Sequence, residues 1–267
     1  MTISQTSTAK VAERHVPGRI AGRGRTYLYA VISGSQPRTY GDLGIDGCEV
    51  YSLPAGQVLG IVSALPKEKI LPQRSHLAAH QAVLRKLMAE TTPLPVSFGM
   101  LADSPEAIRK MLLRNQRALL EQLRRVTGKV EMGLRVTWDV TNIFEYFVNT
   151  HAELRLARDR LLGGHHEPTQ EQKIEVGRMF DHFLNEDREA YADQVEEMLA
   201  PHCSEIVRNK CRNEGEVMNL ACLVARDAIP QFENSVFEAA KHFDNNFAFD
   251  YNGPWAPHNF VQIDLGL

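Results

Sequence analysis

What this chain lacks narrows its class before any motif is weighed. Its four cysteines, Cys48, Cys203, Cys211 and Cys222, form no Cys-x-x-Cys pair, a usage that points to reduced, mostly buried thiols and away from a disulfide frame or zinc site. Long apolar runs are missing as well. The longest stretch without a charged side chain, Val50 to Pro66, covers seventeen positions and is interrupted by Pro54, Gly56, Gln57 and Gly60, whereas a membrane helix needs ~20 mostly apolar residues. The N-terminus, MTISQTSTAKVAERHVPGRIAGRGR, has no apolar segment after a basic start. No secretory signal is therefore expected, and the cytoplasm is the expected compartment. Charge of one sign is also absent: 30 basic and 33 acidic side chains leave −3, without the electrostatic footprint of a nucleic-acid binder. What remains is 267 residues, 43% hydrophobic and 24% charged, enough for a packed core and, at ~100–200 residues per domain, for two domains.

Residues 1–25 are rich in Ser, Thr, Gly and Arg, with five basic side chains against Glu13, and read as a flexible basic tail. From Tyr27 the pattern changes. YLYAVI reads as a buried strand, and CEVYSL and QVLGIV, separated by Pro54, Ala55 and Gly56, read as a hairpin. Leu77, His80, Leu84, Leu87 and Met88 recur at helical spacing and predict an amphipathic helix over about Pro72 to Glu90, followed by a short strand at LPVSF. Ser104-Pro105 opens a helix whose stripe, Ile108 to Val126, ends at Thr127-Gly128.

The second half alternates more cleanly. Val130, Met132, Leu134, Val136 and Trp138 interleave with Lys129, Glu131, Gly133, Arg135 and Thr137, the pattern of a strand with one buried face. Asn142 with Glu145 opens a helix that Gly163-Gly164 close. Thr169 with Gln172 opens a long one reaching about Leu199, with Ile174, Gly177, Phe180, Leu184, Tyr191, Val195 and Met198 on one face. A hairpin turning at Asn213-Glu214-Gly215, with Gly215 expected at positive φ, is followed by a helix from Pro230 using Val236, Phe237, Ala240 and Phe243. A strand alternating at Phe247, Phe249 and Tyr251 comes last. The order is that of a split βαβ. The expected architecture is thus α+β in two domains: a tail (1–25), an N-terminal α+β domain (26–128), a C-terminal modified ferredoxin-like (split βαβ) domain with an elaborated helical crossover (129–252), and an extended C-terminal tail (253–267) anchored by Trp255, Phe260 and Ile263.

No catalytic constellation emerges. His76 and His80 stand four apart, the spacing of two imidazoles on one metal, but no HExxH surrounds them, and His80 lies in an apolar stripe where a hydrogen-bonded core or interface histidine is expected. His165 and His166 sit between Gly-Gly and Glu-Pro with no third ligand nearby. GRGR at 22–25 and GQVLG at 56–60 match no phosphate-binding pattern and read as tail and turn glycines. No Gly-x-Ser-x-Gly elbow is present. Asp181, Glu186, Asp187, Glu189, Asp193, Glu196 and Glu197 lie among Arg178 and Arg188 on the long helix, a solvated, charge-paired face. No catalytic, cofactor-binding or metal residue is assigned, and no cofactor is expected.

Taken together, YLYAVI, the run IVSALPKEKI…HQAVLRKLM…LPVSFGM, the strands KVEMGLRVTWD and NLACLVARD, and the ending FDYNGPWAPHNFV resemble the gas vesicle protein F/L family over about residues 26–264. The resemblance implies a non-enzymatic accessory protein, found in the cytoplasm and with the vesicle shell. It would associate with the small hydrophobic shell protein and other accessory proteins while buoyant gas vesicles are built. Neither nucleic acid nor membrane is an expected partner. It implies the same two-domain α+β and ferredoxin-like fold. Members often carry a basic residue within LPVSFG where this chain has Ser97, so a charged contact made there by relatives is not expected. A subunit that polymerises through strands is an aggregation hazard until delivered. A partly apolar groove or exposed sheet edge able to hold it is expected at the junction between the domains, where Phe98, Met100, Trp255 and Phe260 face a partner or else belong to the core. The rival reading is a ferredoxin-like module that binds a small regulatory molecule.

Overall fold

The computed structural model describes residues 25–66, 69–163 and 167–262. The tail before Arg25, His165, His166 and Ile263 lie outside the described residues. YLYAVI falls in β1 (Arg25–Ser33), buried over seven consecutive positions. It lies inside an antiparallel sheet ordered β2 (Thr39–Gly41), β3 (Val50–Ala55), β4 (Val58–Leu65), β1, β5 (Leu94–Pro95), with β6 (Leu101–Ala102) also pairing with β1. One face, with Tyr27, Tyr29 and Ile61, shares a core with Val83, Leu84 and Leu87 of α1 (Arg74–Met88). On the other, Leu28, Val31 and Val62 share a core with α2 (Pro105–Arg114) and α3 (Gln116–Val126). A sheet covered on both faces needs no polar alternation, so its central strand reads as a continuous apolar run.

The second sheet is ordered β10 (Phe247–Trp255), β7 (Lys129–Trp138), β9 (Glu216–Ala225), β8 (Glu205–Arg208), antiparallel throughout. Between β7 and β8 come α4 (Ile143–Thr150), α5 (Ala152–Leu162) and α6 (Gln170–Leu199), and α7 (Ile229–Ala240) joins β9 to β10. Val130, Met132, Leu134, Val136 and Trp138 lie in the same core as Phe147, Phe180, Leu184, Val195 and Phe232. The Thr169–Gln172 capping box forms reciprocally and starts α6. Arg208 grips Glu189, Asp193 and Glu196, tying the edge strand β8 to α6 and accounting for three members of the acidic cluster. Arg188 donates to the carbonyls of Asn213 and Glu216 at the β8–β9 turn and lies over the Trp138 ring.

Several expectations are corrected. The helix from Ser104 is two helices, because Asn115 leaves the helical conformation and its side-chain amide donates to the Met111 carbonyl at 3.0 Å, a local bond that competes with helix continuation. The helix from Asn142 also breaks, at His151, whose backbone is extended and whose ring stacks on Phe147. LPVSF pairs as a strand only at Leu94–Pro95, since prolines supply no N–H to a ladder. Leu77, Ile174 and Phe237 point outward, and His76, Val176, Phe232 and Ala239 take the buried positions of α1, α6 and α7. Gly215 does not adopt positive φ. The last strand continues through Trp255, into what was expected to be tail.

Gly56 is a turn glycine, with φ +67°, but Gly60 is not: it lies within β4, and a Cβ there would come 2.8 Å from Leu112 Cδ1. Glycine at this point lets α2 pack down on the sheet. Gly60→Ala is expected to cost ~1–3 kcal/mol by overpacking and Leu112→Ala ~2–5 kcal/mol by leaving a cavity. The added methyl would occupy part of that cavity, so urea unfolding of the double variant should show a loss clearly smaller than the sum.

Candidate functional site

The segment LPVSFGM is held by a buried polar relay. The Tyr27 hydroxyl accepts from the Gly99 backbone N–H at 3.1 Å and lies 2.9 Å from His80 Nδ1. With the imidazole neutral, Tyr27 donates to Nδ1 and the ring N–H donates to the Val96 carbonyl. Burial lowers His80 from 6.5 to about 4, reinforced by the nearby His258 of the C-terminal segment. Phe98 meets both rings edge-on, with centroids 6.1 Å from Tyr27 and 5.9 Å from His80. Phe98 is therefore part of an aromatic nest, and Met100 is half-buried with its carbonyl accepting from the Leu28 N–H at 3.0 Å.

The C-terminal segment is strapped across the joint between the sheets. Glu131, buried on β7, accepts from the Asn259 backbone N–H at 2.8 Å and from its side-chain amide at 2.6 Å. Gln122 on α3 makes the matching pair with Gln262: its amide donates to the Gln262 carbonyl, and its oxygen accepts from the Gln262 N–H. Between these clamps Phe260 is only 2% exposed, in one buried cluster with Leu119 and Leu123 of α3 and Ala221 and Leu223 of β9. Phe260 thus belongs to the core. Desolvation raises the Glu131 carboxyl above its ordinary value, although both Asn259 bonds oppose that shift.

Where Phe260 stops covering the second sheet, its far face opens into a groove of about 520 Å³. The floor follows from register: Gly133 lies opposite Ala221 and Asn252, and Arg135 opposite Asn219 and Asp250. Asn209, Lys210 and Arg212 form one side, and Trp255 and Asn259 another. Trp255, 38% exposed, donates from its indole N–H to Asn252 Oδ1 at 2.8 Å. A Cβ at Gly133 would come 2.7 Å from that same oxygen, so any larger residue here would have to displace the Asn252 side chain. Of the four aromatic and sulfur side chains expected at the junction, only Trp255 borders the groove. The surface there is mainly polar, where a partly apolar groove was expected.

The other candidates are dispersed. His76 bonds to the Leu71 carbonyl and to Asp46 Oδ1, while His80 turns to Tyr27, so the pair shares no ligand position. Among the described residues, no group of three or more His, Cys, Asp or Glu side chains is placed to hold a metal ion. The Cys222 thiol is kept protonated by its hydrogen bond with Cys203 and by burial. Alternation in KVEMGLRVTW already put Glu131, Gly133 and Arg135 on one face, and a glycine inside a strand marks close approach. Nothing local linked Glu131 to Asn259, 128 positions away.

Comparison with known proteins gives one consistent picture. The family model described as gas vesicle synthesis protein GvpL/GvpF matches residues 25–262. Gas vesicle protein F of Dolichospermum flosaquae is 26% identical over 241 residues, 89% of this chain and 98% of that protein. Gas vesicle protein F of a Streptomyces species is 27% identical over 242 residues, 89% of this chain and 99% of that protein. The crystal structure of GvpF from an Anabaena species matches with a TM-score of 0.78 at 24% identity, covering 90% of this chain and 99% of that one. GvpF from Microcystis aeruginosa matches at 0.76 and 22%, with the same coverage.

The His80 relay has a pH signature. The unfolded chain takes up a proton near pH 6.5 and the folded chain only near pH 4. This contribution is therefore complete above pH 6.5 and declines as pH falls towards 4, by about 3 kcal/mol in all. His80→Gln should lower stability at pH 7 and flatten that decline in denaturant titrations. At the strap, Asn259→Ala strips a buried carboxylate of its side-chain amide donor while the backbone N–H of residue 259 remains, and should cost ~1–3 kcal/mol, readable as a lower urea midpoint at pH 7. Gln122→Ala, at an exposed clamp, should cost no more than ~1 kcal/mol.

Proposed function

Because this chain belongs to the gas vesicle synthesis protein GvpL/GvpF family, we propose that it is a non-enzymatic accessory protein of gas vesicle formation. On this reading it binds the small hydrophobic shell protein and other accessory proteins while the shell is assembled. The supporting observation is family likeness that runs through both sheets and spans nearly the whole length of the relatives. Such a protein works in the cytoplasm and at the vesicle. Among the described residues no helix is long and apolar enough to cross a membrane. We read residues 129–252 as a split βαβ, or ferredoxin-like, domain, a reading supported by the strand order β10-β7-β9-β8, and residues 26–128 as a separate α+β domain. A shell subunit that pairs through strands and shields an apolar face needs a temporary partner before it joins a growing rib.

The polar groove favours one rival, a module that binds a small regulatory molecule; such a ligand would raise the melting temperature with its concentration. The two readings separate in the cell. In a strain lacking this gene and its paralogues, the assembly reading expects cells that no longer float, restored by the intact gene. It also expects the tagged chain to co-purify with the shell protein. Normal buoyancy together with no association would remove it.

A further inference from the structure

Among the charged side chains bordering the groove, Arg135, Lys210 and Arg212 are basic and only Glu131 is acidic, with both its oxygens already engaged by Asn259. Counted with the two carboxylates beside Arg135, Asp250 and Glu216, basic and acidic side chains balance three to three, and the positive charge left to meet a ligand is that of Lys210 and Arg212. Arg135 is shared with Asp250 at 2.9 Å and, more distantly, with the buried Glu216. Among the described residues, the side chains of Lys210 and Arg212 have no ion pair, and the side-chain amides of Asn209 and Asn219 have no hydrogen-bond partner.

These donors come from separate parts of the fold. Arg135 stands on β7, Asn219 on β9, and Asn209, Lys210 and Arg212 on the chain that follows β8. One small anion could satisfy few of them at once. Carboxylates spaced along a chain could meet several, with the exposed Trp255 indole covering the apolar part of their stems.

We propose that this groove is a carboxylate-binding site that receives an acidic, extended segment of a partner protein. The inference rests on the partner-binding reading above and specifies the chemistry of the segment bound. Lys210 and Arg212 supply charge, Asn209 and Asn219 donate hydrogen bonds, and Gly133 leaves the floor low enough for the segment to lie across the sheet.

The test is fluorescence anisotropy of the full-length protein titrated against a fluorescein-labelled peptide of alternating Glu and Ser, with the same peptide carrying Gln for Glu as the comparison. Saturable binding is expected, with the Gln peptide about tenfold weaker and affinity falling severalfold as salt rises from ~0.05 to ~0.3 M. Lys210→Gln with Arg212→Gln should weaken binding about tenfold while leaving the thermal transition in place. Trp255→Phe, a milder change at the rim, should weaken it about threefold. No saturable binding, equal binding of the two peptides, or indifference to the double variant would overturn the proposal. So would citrate displacing the peptide at equal carboxylate concentration, which would make the groove a small-anion site. The assay contains no gas vesicle component, so its failure removes the groove as a site, while co-purification with the shell protein judges the assembly role independently.

Discussion

A single aromatic ring near the end of the chain holds the joint on which the arrangement of the two sheets depends. Phe260 lies in a cluster drawn from α3, β1 and β9, elements otherwise far apart in sequence. Burying a Phe is worth ~1.5–3 kcal/mol, but only if the backbone carrying it is kept in place. The Glu131–Asn259 and Gln122–Gln262 clamps do that from opposite sides, one on the second sheet and one on α3. A buried carboxylate would be a liability alone; with two N–H donors on it, it becomes a specific anchor. The Arg125–Glu205 ion pair, between the end of α3 and the edge strand β8, reinforces the same joint from the surface.

The consequence is a second sheet with unequal faces. Its helix-covered face is buried along the length of β7, whereas its far face is covered only where Phe260, Ala221 and Leu223 meet the first sheet's helices. The uncovered remainder is polar because it stays wet, and it is concave because the strap rises on one side and the 209–212 segment on another. The His80 relay fixes the LPVSFGM segment with Phe98 half-buried against its rings. An assembly helper with a polar groove differs physically from one with an apolar cradle: its contacts would be salt-sensitive and rapidly reversible.

How far the sequence could be read depended on how local each signal was. The Thr169–Gln172 box and the Asn142 and Ser104 caps were legible because each is a bond between residues three apart. The alternation in β7 was legible because a strand's period is intrinsic to its backbone. Helix breaks at Asn115 and His151 were not, since the apolar stripe resumes in helical phase at Leu119 after the polar run 114–117 and at Leu154 after His151. Whether Leu77 or His76 is buried on α1, or Phe237 or Phe232 on α7, was not legible either. Neighbouring positions on a helix differ by about a hundred degrees, and packing partners far along the chain choose between them.

The sequence alone therefore determined the element types, their order, the buried face of β7 and the family resemblance, because these rest on short-range periodicity, caps and ordered motifs. Tertiary structure alone decided that Phe260 is core, that Phe98 packs half-buried against the core while Trp255 borders a groove, that Gly60 makes room for Leu112, and that Glu131 holds Asn259. Each of those outcomes is a contact between residues tens of positions apart or more, and the side-chain chemistry of either partner alone is equally compatible with a surface position.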